Sequence, residues 1–94
     1  MSELESTGPL WTQEQAIAYE AAQEAINDVI SGYSAQIAAA EASGAPNSQA
    51  RVEWLSMRMK QAYTTKRSLK VTDTENVQQA LLEYSAIVRA RNAE

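Results

Sequence analysis

The chain has no histidine, no cysteine and no phenylalanine, and only three glycines and two prolines among its 94 residues. Each absence removes a class of explanation. Without histidine the sequence lacks the commonest general base and metal ligand at neutral pH. Carboxylate metal sites built between two helices pair glutamate with histidine three residues on, so that chemistry is missing as well. Without cysteine there are no disulfides or thiolate sites, and redox chemistry does not fix the compartment. So few Gly and Pro residues argue against a strand-and-turn fold, whereas abundant Ala, Gln and Glu favour helix. The large apolar pieces are Ile, Val, Leu, three Met, four Tyr and two Trp. No apolar run approaches the ~20 residues needed to cross a bilayer. The opening MSELESTGPL is acidic and leads into no hydrophobic segment, so a signal peptide is not expected and a cytoplasmic location is.

What is present is helical periodicity. Residues 1–11 show none and contain Gly8 and Pro9; they read as a flexible tail ahead of one domain over residues 12–94. Thr12 and Gln15 have the spacing of a capping box, in which hydroxyl and amide each satisfy an exposed backbone N–H. Trp11, just before the cap, is placed to fold over Ala16. A first helix over residues 12–43 follows, with Tyr19, Ala22, Ile26, Val29, Ile30, Tyr33, Ile37 and Ala40 on one face. Gly32 interrupts its middle at a cost of ~1 kcal/mol relative to alanine. Either a second helix crosses closely there or, with Ser31 beside it, the helix bends. Gly44-Ala45-Pro46 ends the helix.

A second helix over residues 47–67 presents Val52, Leu55, Met59 and Ala62, with Leu69 in line if it continues. Trp54 lies about a quarter turn off that face and Met57 roughly opposite it. Thr72 and Glu75 suggest another capping box, opening a third helix over residues 73–91 that presents Val77, Ala80, Leu81, Tyr84, Val88 and the stem of Arg91. The expected fold is all-α, an antiparallel three-helix bundle with a long first helix. That helix exceeds the others by about ten residues, or ~15 Å at helical rise. A bend, a second copy or another protein is needed to cover the surplus. Residues 26–37 (INDVISGYSAQI) echo residues 77–88 (VQQALLEYSAIV), which points to comparable half-buried positions for Tyr33 and Tyr84. Ile17 and Leu82 are left outside the core stripes.

Charge is segregated along the chain, whose formal net charge is −4. Residues 1–53 carry eight acids and one base, residues 54–72 five bases and no acid, and residues 73–94 four acids and two bases. Glu20, Glu24 and Asp28 make an acidic ridge on the first helix, opposite its core stripe. Like charges at that spacing mildly destabilise a helix, so a docking surface for a basic partner is one reason for them to be there. Trp11, Ile17, Glu20, Glu24 and Asp28 are therefore the candidate partner-binding residues. Arg58, Lys60, Lys66, Arg67 and Lys70, interleaved with Trp54 and Tyr63, form an alternative phosphate- or nucleic-acid-binding patch. The acidic balance weighs against nucleic acid as the dedicated partner. Paired carboxylates on an open helix face do not provide acid–base catalysis, and no serine has a base to activate it. No catalytic activity, metal or cofactor is expected. The primary expectation is a protein-binding module, with a structural homo-oligomer as a further alternative.

In size, charge and helix layout, with Glu20, Glu24 and Asp28 as the candidate inhibitory element, the chain resembles the antitoxins of epsilon/zeta toxin–antitoxin pairs and related immunity proteins. The resemblance rests on architecture across the whole chain. In that family a helix of the antitoxin blocks the nucleotide site of a kinase-like toxin. The resemblance thus implies an inhibitory role for residues 12–28.

Overall fold

A computed structural model describes residues 10–93, and the tail expected over residues 1–11 lies outside it except for Leu10 and Trp11, both exposed. The described chain is all-α. Helix α1 spans Gln13–Ser43, α2 Ser48–Ser68 and α3 Thr74–Asn92. Successive helices run antiparallel. α1 packs against both of the others, as expected for a three-helix bundle.

Local chemistry fixes the ends. The Thr12 hydroxyl accepts from the Gln15 backbone N–H at 3.0 Å, and the Gln15 side-chain oxygen accepts from the Thr12 N–H at 2.9 Å. This is the reciprocal cap read from the sequence. At the other end Gly44 takes a left-handed conformation, with φ 66°, that closes α1. The cap of α3 differs from expectation by one residue. Asp73, not Thr72, accepts from the Asn76 backbone N–H, and the Asn76 amide donates to the same carboxylate at 2.6 Å. Asp73 is both an acceptor and an anion at a helix N-terminus, so it serves the two functions at once. The Thr74 hydroxyl accepts from the Gln15 side-chain amide at 3.0 Å, linking the starts of α1 and α3. Leu69 sits just past the end of α2 in extended backbone, yet it is buried.

The helices are staggered. α2 returns along the later part of α1: Arg58 donates to the Tyr33 hydroxyl, and Gln23 donates to the Lys66 carbonyl. α3 lies along the earlier part, from Gln15 beside Thr74 to Asp28 beside Arg91. All three helices are therefore abreast only between about Gln23 and Gly32. The core concentrates there, as Ala22, Ile26 and Ile30 from α1, Ala62 from α2, Leu69, and Val77 and Ala80 from α3, flanked by Tyr19, Met59, Leu81 and Tyr84. α2 and α3 meet mainly through long side chains, among them the Tyr84 hydroxyl donating to Thr65 at 3.3 Å. The surplus length of α1 is thus shared between its two ends. Beyond Gly32 the hairpin of α1 and α2 continues with no third helix against it among the described residues.

Gly32 is explained by close approach. α1 runs unbroken through Ser31 and Gly32. The Arg91 guanidinium occupies the place where a side chain at residue 32 would begin. From there it donates to the Asp28 backbone carbonyl at 3.2 Å and to the Asp28 carboxylate at 3.1 Å. The glycine's helical penalty is offset by these bonds, which no larger residue would permit unchanged.

Two stability outcomes follow. Ile26→Ala removes a side chain that is 0% exposed and should cost about 2–5 kcal/mol in denaturant titration. Both partners of the Arg91–Asp28 pair are more than a third exposed, so Arg91→Ala should cost only about 1 kcal/mol. In a Gly32→Ala background, where the guanidinium is already displaced, Arg91→Ala should cost close to nothing. Equal costs in both backgrounds would separate Gly32 from Arg91.

Candidate functional site

The seam between α1 and α3 is incompletely closed on one flank. Two hollows follow each other along it. The first, about 430 Å³, lies between Glu14, Gln15 and Ala18 of α1 and Thr74, Val77 and Gln78 of α3, with Val71 at its floor. The second, about 380 Å³, lies between Ala21, Glu24, Ala25 and Asp28 and the α3 residues Leu81, Ser85, Val88 and Arg89. On α3 the lining residues of the two hollows belong to consecutive turns of one side, so they form one groove. In the first hollow polar side chains surround Ala18, Val71 and Val77, whereas in the second Ala21 and Ala25 face Leu81 and Val88 and leave room for an approaching backbone.

Ile17 stands one turn before Ala21 on the α1 wall and is 59% exposed. Leu82 lies beside the α3 wall, between Gln78 and Ser85, and is 63% exposed. The two apolar residues left over from the core stripes therefore border the same groove. Singly exposed apolar residues are common on protein surfaces, whereas apolar residues grouped along a cleft are the pattern of a binding surface.

The acidic ridge is divided by the fold. Glu24 lines the groove and is exposed. Asp28 also lines it, but its carboxylate is engaged by Arg91, the one ion pair among the described residues. Glu20 is exposed and lines neither hollow. Glu14 adds an acid at the lower hollow that the ridge did not include. Trp11, 43% exposed, precedes the cap at that same end. Sequence reasoning placed Leu81 and Val88 on the core face of α3 and missed that, with Ser85 and Arg89, they form a wall of this groove.

The five basic candidates are not gathered into one surface. Arg58 is held inward, donating to the Tyr33 hydroxyl at 3.4 Å and to Gln61 at 3.3 Å, with its guanidinium 5.9 Å from the centre of the Trp54 ring. Lys60 and Arg67 are exposed seven residues apart on the outer side of α2, Lys66 is half-buried near Gln23, and Lys70 follows in the connection. Among the described residues no three His, Cys, Asp or Glu side chains converge as a metal site, and no helix is long and apolar enough to cross a membrane. Compared with protein-family models, curated proteins and solved structures, the chain matches none.

If the groove walls are presented to solvent and not packed, Ile17→Asp and Leu82→Asp should each leave folding stability within about 0.5 kcal/mol of wild type. Chemical denaturation measures this directly. A loss of 2 kcal/mol or more at either position, on the scale of a core truncation, would assign that residue to the core.

Proposed function

We propose that this chain is a non-catalytic helical module, acting in the cytoplasm, that binds another protein through the α1–α3 groove. The observation that carries the reading is the grouping of Ile17, Leu82 and the alanine-floored seam with the acids Glu14 and Glu24. Apolar contact supplies affinity at the centre of such a surface, and charge at the rim steers encounter and selects the partner. The occupant that fits is an amphipathic helix with apolar side chains spaced one turn apart and Lys or Arg along its edges. In the finer form of the proposal the partner is a toxin-like enzyme and binding inhibits it, as in antitoxin and immunity proteins. An acidic surface of this kind suits a basic cleft that binds phosphorylated substrates.

The test is affinity capture from the native host with the wild-type chain and two variants. Ile17→Asp removes an apolar anchor while adding negative charge. Glu24→Lys reverses a rim charge. A partner read by this groove should be lost or weakened about tenfold or more with Ile17→Asp, and Glu24→Lys should chiefly reduce its association rate and salt sensitivity. A partner attracted by charge alone would instead bind Ile17→Asp at least as well, which would overturn the groove as the site. Inhibition is tested separately, by assaying the captured enzyme with and without the chain.

A further inference from the structure

α2 and α3 approach each other less closely than either approaches α1, and the seam between them is polar. It shares no lining residue with the α1–α3 groove. A hollow of about 220 Å³ lies there between Tyr33 of α1, Arg58, Gln61 and Thr65 of α2, and Glu83 and Tyr84 of α3. The three α2 residues recur at helical spacing, which puts them on one side of that helix. Tyr33 and Tyr84, the half-buried pair singled out by the echo between residues 26–37 and 77–88, both line it. A second hollow of about 310 Å³ shares Thr65, Glu83 and Tyr84 and continues along the seam past Gln79.

The side chains of the smaller hollow hold hydrogen-bond donors in reserve. Arg58 donates from Nε to the Tyr33 hydroxyl and from Nη1 to the Gln61 side-chain oxygen, and the Trp54 ring centre lies 5.9 Å from its guanidinium. These contacts fix the guanidinium and leave its Nη2 without a protein partner among the described residues. Tyr84 donates to the Thr65 hydroxyl, so the Tyr33 and Thr65 hydroxyls each accept one bond and keep their own proton to give. Arg58 is half-buried, yet the one ion pair among the described residues is Arg91–Asp28. Glu83 lines the same hollow from the α3 side without pairing with Arg58. A fixed cation with spare donors on one wall and a carboxylate on the other suit a ligand that carries both charges close together. We propose that this hollow binds a small zwitterion of the α-amino-acid type, its carboxylate on Arg58, Tyr33 and Thr65 and its ammonium on Glu83. The planar guanidinium matches a carboxylate in geometry as well as charge. The hollow is smaller than the ~300–1,000 Å³ of pockets for drug-sized ligands, which suits an amino acid and not a nucleotide. The ligand's side chain extends into the adjoining hollow. A phosphate would satisfy Arg58 but set its further negative charge against Glu83.

The experiment is an amide NMR titration of the full chain with each of the common L-amino acids, and with acetate and inorganic phosphate as comparison probes. Circular dichroism verifies that each variant keeps its helix content. At least one amino acid should shift the amides around Arg58, Thr65 and Tyr84 saturably, with a Kd of about 1 mM or tighter. Acetate and phosphate should bind more weakly. Arg58→Lys keeps the charge but loses the planar fork, and should weaken that amino acid about tenfold. Glu83 is exposed, so Glu83→Gln leaves the fold intact. It should bring the amino acid and the same acid lacking its amine to equal affinity. Ile17→Asp should leave the titration unchanged, which keeps this hollow distinct from the groove proposed for a protein partner. The proposal is overturned if no amino acid shifts these amides or if phosphate binds more tightly than every amino acid. Binding that persists unaltered in both Arg58→Lys and Glu83→Gln overturns it as well.

Discussion

The fold depends on one short stretch of α1, from Ala22 to Ile30, because only there are three helices side by side. Ile26 lies at its centre with no exposed surface, and residues from both other helices pack into the same cluster. α2 and α3 barely support each other; each is held by what it buries against α1. A domain of this size holds little apolar area in reserve, so the concentration of the core in about three turns makes the rest of the molecule a set of appendages to it. The two ends of α1 are thereby released from the demands of core packing. The α1–α3 groove runs from the Gln13 end alongside this centre, its second hollow lying between Ala21, Glu24, Ala25 and Asp28 and α3.

Much of the architecture was legible in the sequence, for reasons that can be assigned to residues. The spacing of Tyr19, Ala22, Ile26, Val29 and Ile30 has only one helical reading, and Thr12 with Gln15 fixes where that helix starts. Gly44 with Pro46 fixes where it ends. The shift of the third cap from Thr72 to Asp73 was not legible, because Thr-Asp-Thr-Glu offers two overlapping caps and local spacing does not choose between them. Asp73 takes the role through its carboxylate, which accepts from both the backbone and the side chain of Asn76. Gly32 was recognised as anomalous. Its cause, an arginine 59 residues further along the chain, leaves no local signature.

The candidate groove was half legible. Ile17 and Glu24 stood out because they break the rules of their own helix, one as an apolar residue on a polar face and the other as an acid stacked on acids. The opposite wall did not, since Leu81 and Val88 also satisfy the core periodicity of α3, although both are only partly buried. Asp28 shows the reverse case. It looked like part of the same ridge as Glu20 and Glu24, but its chemistry is spent on Arg91. Its ion-pair partner lies in the third segment, and the five bases of residues 54–72 make no ion pair with the acidic first helix among the described residues. What is available to a partner is smaller and more one-sided than the sequence count suggests.

The stagger has a consequence for how the molecule breathes. Amides near Ile26 sit inside three layers, whereas those toward Ser43 are shielded by α2 alone, and those nearest Gln13 by α3 and the connection after α2. Opening the last turns at the Ser43 end exposes Ala40 while Leu55 and the central cluster stay packed, so local unfolding there has a lower free energy than global unfolding. One continuous helix therefore spans two environments, a centre covered by two helices and a distal arm covered by α2 alone. A contact that orders the arm would be registered first as protection of those amides, before any change in the rest of the chain.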